Sequence, residues 1–256
     1  MATGIGTGAQ NTEIVDLEDE SFKCTVNQFP TSTYGATGGL ISDTPFICGG
    51  FSGGWQKFCY FLQEYGDWKF ESNLTTPRGY AANGNVIRNH KLVMAGGTDG
   101  WHLSTIEVVA PNAKSETLPI KLPMAMSGSC IVPWDTDTFM LIGGSSYMDR
   151  NQTYLFNMAI NTYTTGPDLL TARSNLGCHT MNVNGEDFII VAGGAGATQS
   201  TEYLPKANYS SGWQKSKNRT AQCSVRDENV QKVLKVRNYV AIRSVWVHRC
   251  NPAFWE

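Results

Sequence analysis

The stretch Leu92-Val93-Met94-Ala95-Gly96-Gly97 decides the fold, because it is an apolar strand that runs directly into a pair of glycines. The same arrangement occurs four times, and the pairs are separated by 47, 47 and 50 residues. The glycine pairs are Gly49-Gly50, Gly96-Gly97, Gly143-Gly144 and Gly193-Gly194. Glycine suits a sharp turn at the end of a packed strand, since it tolerates positive φ and close backbone approach. A period of this length predicts a propeller, a solenoid or another array of similar units.

A second marker is one position in the strand that follows each glycine pair. Its residues are 47, 47, 47 and 48 positions apart, namely Glu13, Tyr60, Glu107, Tyr154 and Glu202. Five units therefore share this strand although four have a glycine pair, and the sequence enters the repeat partway through a unit. The glutamates could be read as a ring of acidic ligands. Their periodic placement favours a structural role instead, in which each carboxylate accepts hydrogen bonds from a neighbouring turn.

The sequence of each full unit predicts four strands. The first is small or apolar, as in 79–87, the second ends in the glycine pair, the third carries Glu or Tyr, and the fourth carries an aromatic residue such as Trp68. Polar turns such as Asn184-Gly185-Glu186-Asp187 join the first two strands and suit antiparallel hairpins.

Four strands per repeat with a glycine pair after the second resembles the kelch repeat, which implies an all-β fold, a kelch-type β-propeller. The resemblance covers about residues 4–217. It implies an N-terminal half blade at 1–33 and four complete blades at about 34–77, 78–123, 124–171 and 172–217.

The tail, residues 218–256, departs from the repeat and has a net charge of +4, whereas the rest of the chain has −6. Two of its stretches, 230–237 and 239–248, alternate as strands do. In one interpretation these strands complete the opening half blade and close a ring of five blades, which would remove exposed sheet edges. In the other, the tail is divergent and the chain is a fragment or truncated isoform, because kelch propellers usually have six or seven blades.

The composition restricts the classes of partner. Charged residues are 16% of the chain and the net charge is −2, so nothing is typical of binding to nucleic acid or to an anionic membrane. The longest apolar runs have the length of strands, which predicts no membrane span. The N-terminus lacks the basic and apolar regions of a signal peptide.

The sequence has no Walker loop, His-Glu-x-x-His or Cys-x-x-Cys motif. Cys178 and His179 are adjacent, but neighbours on a strand point to opposite faces and cannot form a dyad. The four histidines show no metal-ligand spacing. We therefore predict a non-enzymatic protein without cofactor or metal. A propeller enzyme such as a copper-radical oxidase is disfavoured because it needs a Tyr–Cys pair and histidine ligands.

The seven cysteines bear on the compartment. Cys48 ends a second strand and Cys59 begins the third strand of the same unit, so the two could form a disulfide across the ladder or remain free and buried. Cys130 and Cys178 begin the first strands of successive units, close to the propeller axis, where free buried cysteines would also pack well. The odd total leaves at least one thiol unpaired or implies further sequence.

Four Asn-x-Ser/Thr sequons lie near predicted strand ends or loops, at Asn73, Asn151, Asn208 and Asn218. Together with the cysteines they favour an extracellular protein. The missing signal peptide favours the alternative, a cytoplasmic protein.

Binding residues are expected on loops at one end of the propeller, because the loops between second and third strands share that end with the segments that enter first strands. In kelch adaptors this end binds the partner peptide, and interface hot spots favour aromatic residues and Arg. The first set of loops contains Trp55, Asp99, Trp101, His102, Tyr147, Asp149 and Arg150, and the second contains Tyr34, Arg78, Tyr80, Arg173 and Asn175. For Arg78 and Arg173 an inter-blade salt bridge is at least an equal alternative, and for Trp55 and Trp101 the alternative is packing within the loop.

The leading hypothesis is a secreted, non-catalytic kelch β-propeller that binds a protein or peptide partner through this end. The alternative is an intracellular kelch adaptor that recruits substrates for ubiquitination or binds actin. That role normally requires an attached BTB, BACK or other domain, which this sequence does not contain.

Overall fold

The computed structural model describes Gln10, Thr12 and residues 26–215. They form four sheets, each of four antiparallel strands in chain order. The first sheet contains β1 (Thr37–Ile41), β2 (Thr44–Cys48), β3 (Phe58–Leu62) and β4 (Trp68–Asn73). The second contains β5 (Ile87–Arg88), β6 (Lys91–Ala95), β7 (Thr105–Val109) and β8 (Glu116–Lys121). The third contains β9 (Cys130–Pro133), β10 (Thr138–Ile142), β11 (Thr153–Asn157) and β12 (Thr162–Thr165). The fourth contains β13 (Gly177–Val183), β14 (Glu186–Ala192), β15 (Thr201–Pro205) and β16 (Gln214–Lys215), with a short 3-10 turn at Tyr209–Ser211.

These sheets, called blades 1 to 4, confirm the predicted all-β propeller with four complete blades. The predicted half blade at 1–33 lies largely outside the described residues, and the tail, 218–256, lies wholly outside them. Glu13 also lies outside the described residues. The predicted closure of the ring by the tail concerns residues that lie outside them as well. Within residues 26–215 no helix is long and apolar enough to cross a membrane.

Every glycine of the four pairs has a positive φ, between 57° and 108°. A Cβ on Gly49 would lie 2.2 Å from the carbonyl oxygen of Arg78, and one on Gly96 would lie 2.4 Å from that of Met126. Both carbonyls belong to the segment that enters the next first strand. Glycine is therefore required here for its backbone conformation and for close approach between blades.

The hydrophobic core lies between successive blades. Phe46 and Leu92 pack in the cluster between blades 1 and 2, and Val93 and Phe139 pack between blades 2 and 3. The third cluster includes Val191 and joins blades 3 and 4. These side chains are 0% exposed, so removal of a neighbouring blade would expose their apolar surface to water.

The first strand of blade 2 is shorter than the sequence predicts, since β5 has two residues rather than the nine of 79–87. The preceding segment keeps some bonds to its own blade, from Ala82 N to Ala95 O (2.8 Å) and from Val93 N to Val86 O (2.9 Å), and it also pairs with blade 3. Asn83 donates its backbone N–H to Ser129 O (2.8 Å) and accepts from Ile131 N (2.8 Å). A Cβ on Gly84 would lie 1.9 Å from Ile131 O, so glycine allows this contact between inner strands.

Two disulfides stabilise the blades. Cys48–Cys59 joins β2 to β3 within blade 1, in agreement with one of the two alternatives. Cys130–Cys178 joins β9 of blade 3 to β13 of blade 4. The second bond covalently links the inner strands of neighbouring blades.

Candidate functional site

One end of the propeller, here called the loop face, combines the two sets of loops expected from the sequence. It comprises 49–57, 96–104, 143–152 and 193–200, together with the entering segments 31–36, 78–84, 125–129 and 173–176. In each blade a backbone bridge joins the two sets, at Tyr34–Phe51, Gly79–Thr98, Ser127–Ser145 and Ser174–Ala195. The loops are thus fixed to the blades by a repeated contact.

A chain of backbone hydrogen bonds crosses the loop face from blade to blade. Asn175 N donates to Gly128 O (2.7 Å), Gly128 N to Tyr80 O (2.8 Å), and Tyr80 N to Gly35 O (2.7 Å). All four residues have left-handed φ values between 51° and 66°. This conformation is uncommon for tyrosine and persists where the surrounding structure imposes it.

In this row of hydrogen bonds, Gly35 and Gly128 leave space for the side chains of Tyr80 and Asn175. A Cβ on Gly35 would lie 3.1 Å from the Tyr80 ring, and one on Gly128 would lie 2.7 Å from Asn175 Oδ1. Tyr80 and Asn175, both predicted to bind a partner, are therefore held in fixed positions over the preceding blade.

Four aromatic rings form a cluster, here called the ring cluster, between blades 1 and 2. Tyr34 lies 5.4 Å from Phe51 and 6.3 Å from Tyr80, and Trp55 lies 5.0 Å from Phe51 and 6.5 Å from Tyr80, between ring centroids. All four side chains are half-buried. Burial, and then the neighbouring Tyr34, raise the pKa of Tyr80 above its usual value, so its phenol stays neutral and can donate a hydrogen bond. Trp55 therefore packs within its loop, as the alternative for this residue expected. The four rings together also leave a partly accessible apolar surface.

Three side chains with large apolar surfaces are strongly exposed on the loops of blades 2 and 3. The exposed fraction is 76% for Trp101, 85% for Tyr147 and 65% for Met148. The two loops are joined, because His102 Nε2 accepts a hydrogen bond from Tyr147 N (3.3 Å) and the two rings meet edge to face at 5.3 Å. Trp101 is thus not covered by its own loop.

Polar contacts orient the remainder of the blade 3 loop. Asp149 Oδ1 accepts a hydrogen bond from Ser174 Oγ (2.6 Å) of the segment entering blade 4. Arg150 Nη2 donates to Ser146 O (3.1 Å) within the loop. Arg150 remains partly accessible, as a partner-binding role requires.

Arg78 and Arg173 do not belong to the accessible surface. Both are 0% exposed, so the prediction that they bind a partner is wrong; each forms a buried ion pair, but within its own blade and not between blades as the alternative expected. Arg78 pairs with Glu107 and donates to Gly96 O (2.8 Å), while Arg173 pairs with Glu202 and donates to Gly193 O (3.0 Å). Burial lowers the pKa of Arg78, and the adjacent Glu107 carboxylate opposes that shift.

Glu107 also fixes the segment that connects blades 1 and 2. Its carboxylate accepts hydrogen bonds from Thr75 N (2.8 Å), Thr76 N (3.1 Å) and Ser115 Oγ (2.8 Å). Glu202 accepts equivalent bonds from the segment between blades 3 and 4, at Leu170 N (2.7 Å) and Thr171 N (3.1 Å). Both carboxylates are buried and cannot reach an external ligand.

Few accessible charges lie on the loop face. Its segments contain six charged residues, two of which are the buried arginines. The other four are Lys57, Asp99, Asp149 and Arg150, and their charges cancel. In residues 26–215 no group of three or more His, Cys, Asp or Glu side chains could hold a metal ion. The loop face therefore offers apolar contact and a few hydrogen-bonding groups to a ligand.

The sequons differ in accessibility. Asn73 and Asn208 are exposed, whereas Asn151 is partly buried and accepts a hydrogen bond from Gln152 Nε2 (2.9 Å). Asn218 lies outside the described residues. Of these sites, Asn73 and Asn208 have the most room for a glycan.

Comparison with known proteins gives a fold and no family. No family model matches the sequence, and no curated protein matches it. The solved structure of YjhT is similar with a TM-score of 0.59, at 15% identity, over 75% of this chain and 67% of that one. At this identity the similarity concerns the propeller fold alone.

Proposed function

We propose that this chain is a kelch-type β-propeller that binds a protein partner through its loop face and carries out no catalysis. The observation that carries the proposal is the group of exposed apolar side chains, Trp101, Tyr147 and Met148, on adjoining loops of two blades. Large apolar side chains that are exposed together on adjoining loops are typical of an interaction site. Trp and Tyr are also the residues most enriched among interface hot spots.

Preorganisation of the loop face supports this function. The left-handed backbone chain and the ring cluster fix Tyr80 and Trp55 before any partner arrives, so little side-chain entropy is lost on binding. The partner would bury Trp101 and Tyr147 against its own surface. Removal of a single hot-spot ring typically costs about 2 kcal/mol or more, which is roughly a 30-fold loss of affinity.

Site-specific photo-crosslinking tests the proposal. The photoreactive amino acid p-benzoyl-phenylalanine is placed at Trp101, Tyr147 or, as the control, Tyr65. Tyr65 has the same exposed fraction as Tyr147, 85%, but lies in the loop between β3 and β4. We expect a discrete crosslinked partner from native extract or secretion medium at Trp101 and Tyr147 and none at Tyr65. Equal crosslinking at all three positions would refute a site on the loop face.

We further propose an extracellular location. Two disulfides, Cys48–Cys59 and Cys130–Cys178, form within the described residues, and structural disulfides are typical of oxidising compartments. Glycosylation at Asn73 and Asn208 fits the same location, because both side chains are exposed. The intracellular adaptor is the less favoured function, since the cytosol keeps thiols reduced.

A further inference from the structure

The outer edge of each blade is its fourth strand, and three of the four edges carry features that prevent pairing with another strand. β4 has the exposed Lys69, which pairs with the largely buried Glu71 carboxylate, and a register shift against β3. β8 has Pro119, exposed charged residues at both ends and a register shift against β7. β16 is two residues long and includes Lys215. Charges, proline, bulges and short length are the means by which proteins protect sheet edges.

The outer edge of blade 3 lacks charge, proline and bulge. β12 has the sequence Thr-Tyr-Thr-Thr, all four residues are exposed, and its register with β11 is regular from Asn157–Thr162 to Tyr154–Thr165. Ile160, in the turn before it, is 67% exposed. Thr and Tyr also favour extended strands. Among the described blades, blade 3 thus presents the edge most suited to an added strand.

We propose that β12 is a second interaction surface, on which an extended, uncharged segment of a partner protein pairs as a fifth strand of blade 3. Residues 158–167 contain no charged side chain, so the edge offers no ion pair to a charged segment. Backbone hydrogen bonds supply the affinity in strand addition, and alternate side chains supply the specificity. Tyr163, which is 43% exposed, and Ile160 provide the apolar contacts for such side chains.

A second copy of the chain fits this edge less well than a separate segment. Two antiparallel β12 strands would share a ladder of four residues, and a stable interface buries about 1,200 Å² or more. An extended segment can instead continue past the strand and contact Ile160. The proposal is independent of the loop face, because β12 lies on the outer edge of the blade and contributes none of the loop-face segments.

A peptide with a matched backbone control tests strand addition to the full chain. The probe is a fluorescein-labelled, end-capped peptide, Thr-Val-Thr-Val-Thr-Val, and the control is the same peptide with alternate residues N-methylated. The control keeps the side chains but loses half of the backbone donors. We expect saturable anisotropy for the probe, at least tenfold weaker binding of the control, and at least tenfold slower amide exchange in 162–165 when the probe is bound.

Two variants locate the binding. Thr164→Lys places a charge on the unprotected edge and should lower affinity for the probe at least tenfold. Thr117→Lys adds the same charge to an exposed threonine of β8, whose edge is already protected, and should change nothing. Far-UV circular dichroism confirms that both variants are folded. The proposal is overturned if the probe does not bind, if the N-methylated peptide binds equally well, or if both lysine variants behave alike. A concentration-dependent dimer that Thr164→Lys abolishes would assign the edge to a second copy and overturn it too.

Discussion

Replacement of Glu107 by glutamine should destabilise the propeller far more than the loss of one surface charge. The Glu107 carboxylate accepts four hydrogen bonds, from Arg78, Thr75 N, Thr76 N and Ser115 Oγ, and both members of the ion pair are 0% exposed. In Glu107→Gln the side-chain NH₂ replaces one of two oxygens that both accept hydrogen bonds, so a donor faces a donor whichever way the amide is turned. Arg78 is also left buried without the negative charge of Glu107. Breaking a buried pair in this way costs about 3–5 kcal/mol.

Urea unfolding of the full chain, followed by tryptophan fluorescence, measures this loss. With a slope of about 3 kcal/mol per molar urea, the midpoint should fall by about 1 M or more. The matched control is Glu116→Gln in the same blade, whose pair with Lys91 is 40% to 60% exposed and contributes about 0–1 kcal/mol. Arg78→Met/Glu107→Gln should lose less than the sum of its single variants, because no unpaired charge remains. Equal midpoints for Glu107→Gln and Glu116→Gln would refute the structural role of the buried pair.

Three further predictions concern packing and disulfides. Gly84→Ala places a Cβ against the Ile131 carbonyl and should lower the melting temperature by several degrees, whereas Gly54→Ala, with no atom within 4 Å, should leave it unchanged. Cys130→Ala opens a loop of 48 residues and should cost about 1 kcal/mol more in urea unfolding than Cys59→Ala, which opens one of 11. Thiol titration of the denatured, unreduced protein should find no more than three of the seven cysteines free, and seven free thiols would contradict both the disulfides and the extracellular location.

The periodic features of the sequence predicted the blades well, because a glycine pair at a blade turn meets the same steric requirement in every unit. The short β5 was not predictable in this way. The segment 79–86 pairs with blade 3 as well as with its own blade, and this depends on how closely two inner strands approach, a distance that packing sets. The single local signal was Gly84, whose missing Cβ permits the contact with Ile131.

The buried Arg–Glu ion pairs could have been predicted from a spacing in the sequence. Arg78 and Arg173 each precede a glutamate of the third strand by 29 residues. Where that strand carries Tyr60 or Tyr154 instead, the position 29 residues earlier is Thr31 or Ala125. This coupled change indicates an ion pair and therefore burial, which the residue types alone did not settle.

The proposed binding surface was only partly predictable. The repeat placed Trp101 and Tyr147 at the end that forms the loop face, but exposure depends on which rings pack against one another, and Phe51 and Met148 were missed for that reason. The left-handed Tyr80 has no residue-type signal, since tyrosine is uncommon there. Its alignment with Gly35, Gly128 and Asn175, at spacings of 45, 48 and 47 residues, could have revealed it. Prediction of the Cys130–Cys178 disulfide would have required the distance between the first strands of two blades, and the repeat period of the sequence does not give that distance.

Protein binding by the loop face can be measured as the affinity of the crosslinked partner for three proteins. These are the native chain, Trp101→Ala/Tyr147→Ala and the control Tyr65→Ala, compared by titration calorimetry after their unfolding midpoints are shown to agree. Because all three side chains are strongly exposed, none of the changes should destabilise the fold. We predict at least a 30-fold weaker affinity for the double variant and no change for Tyr65→Ala. Equal affinities for all three proteins would contradict the proposed function.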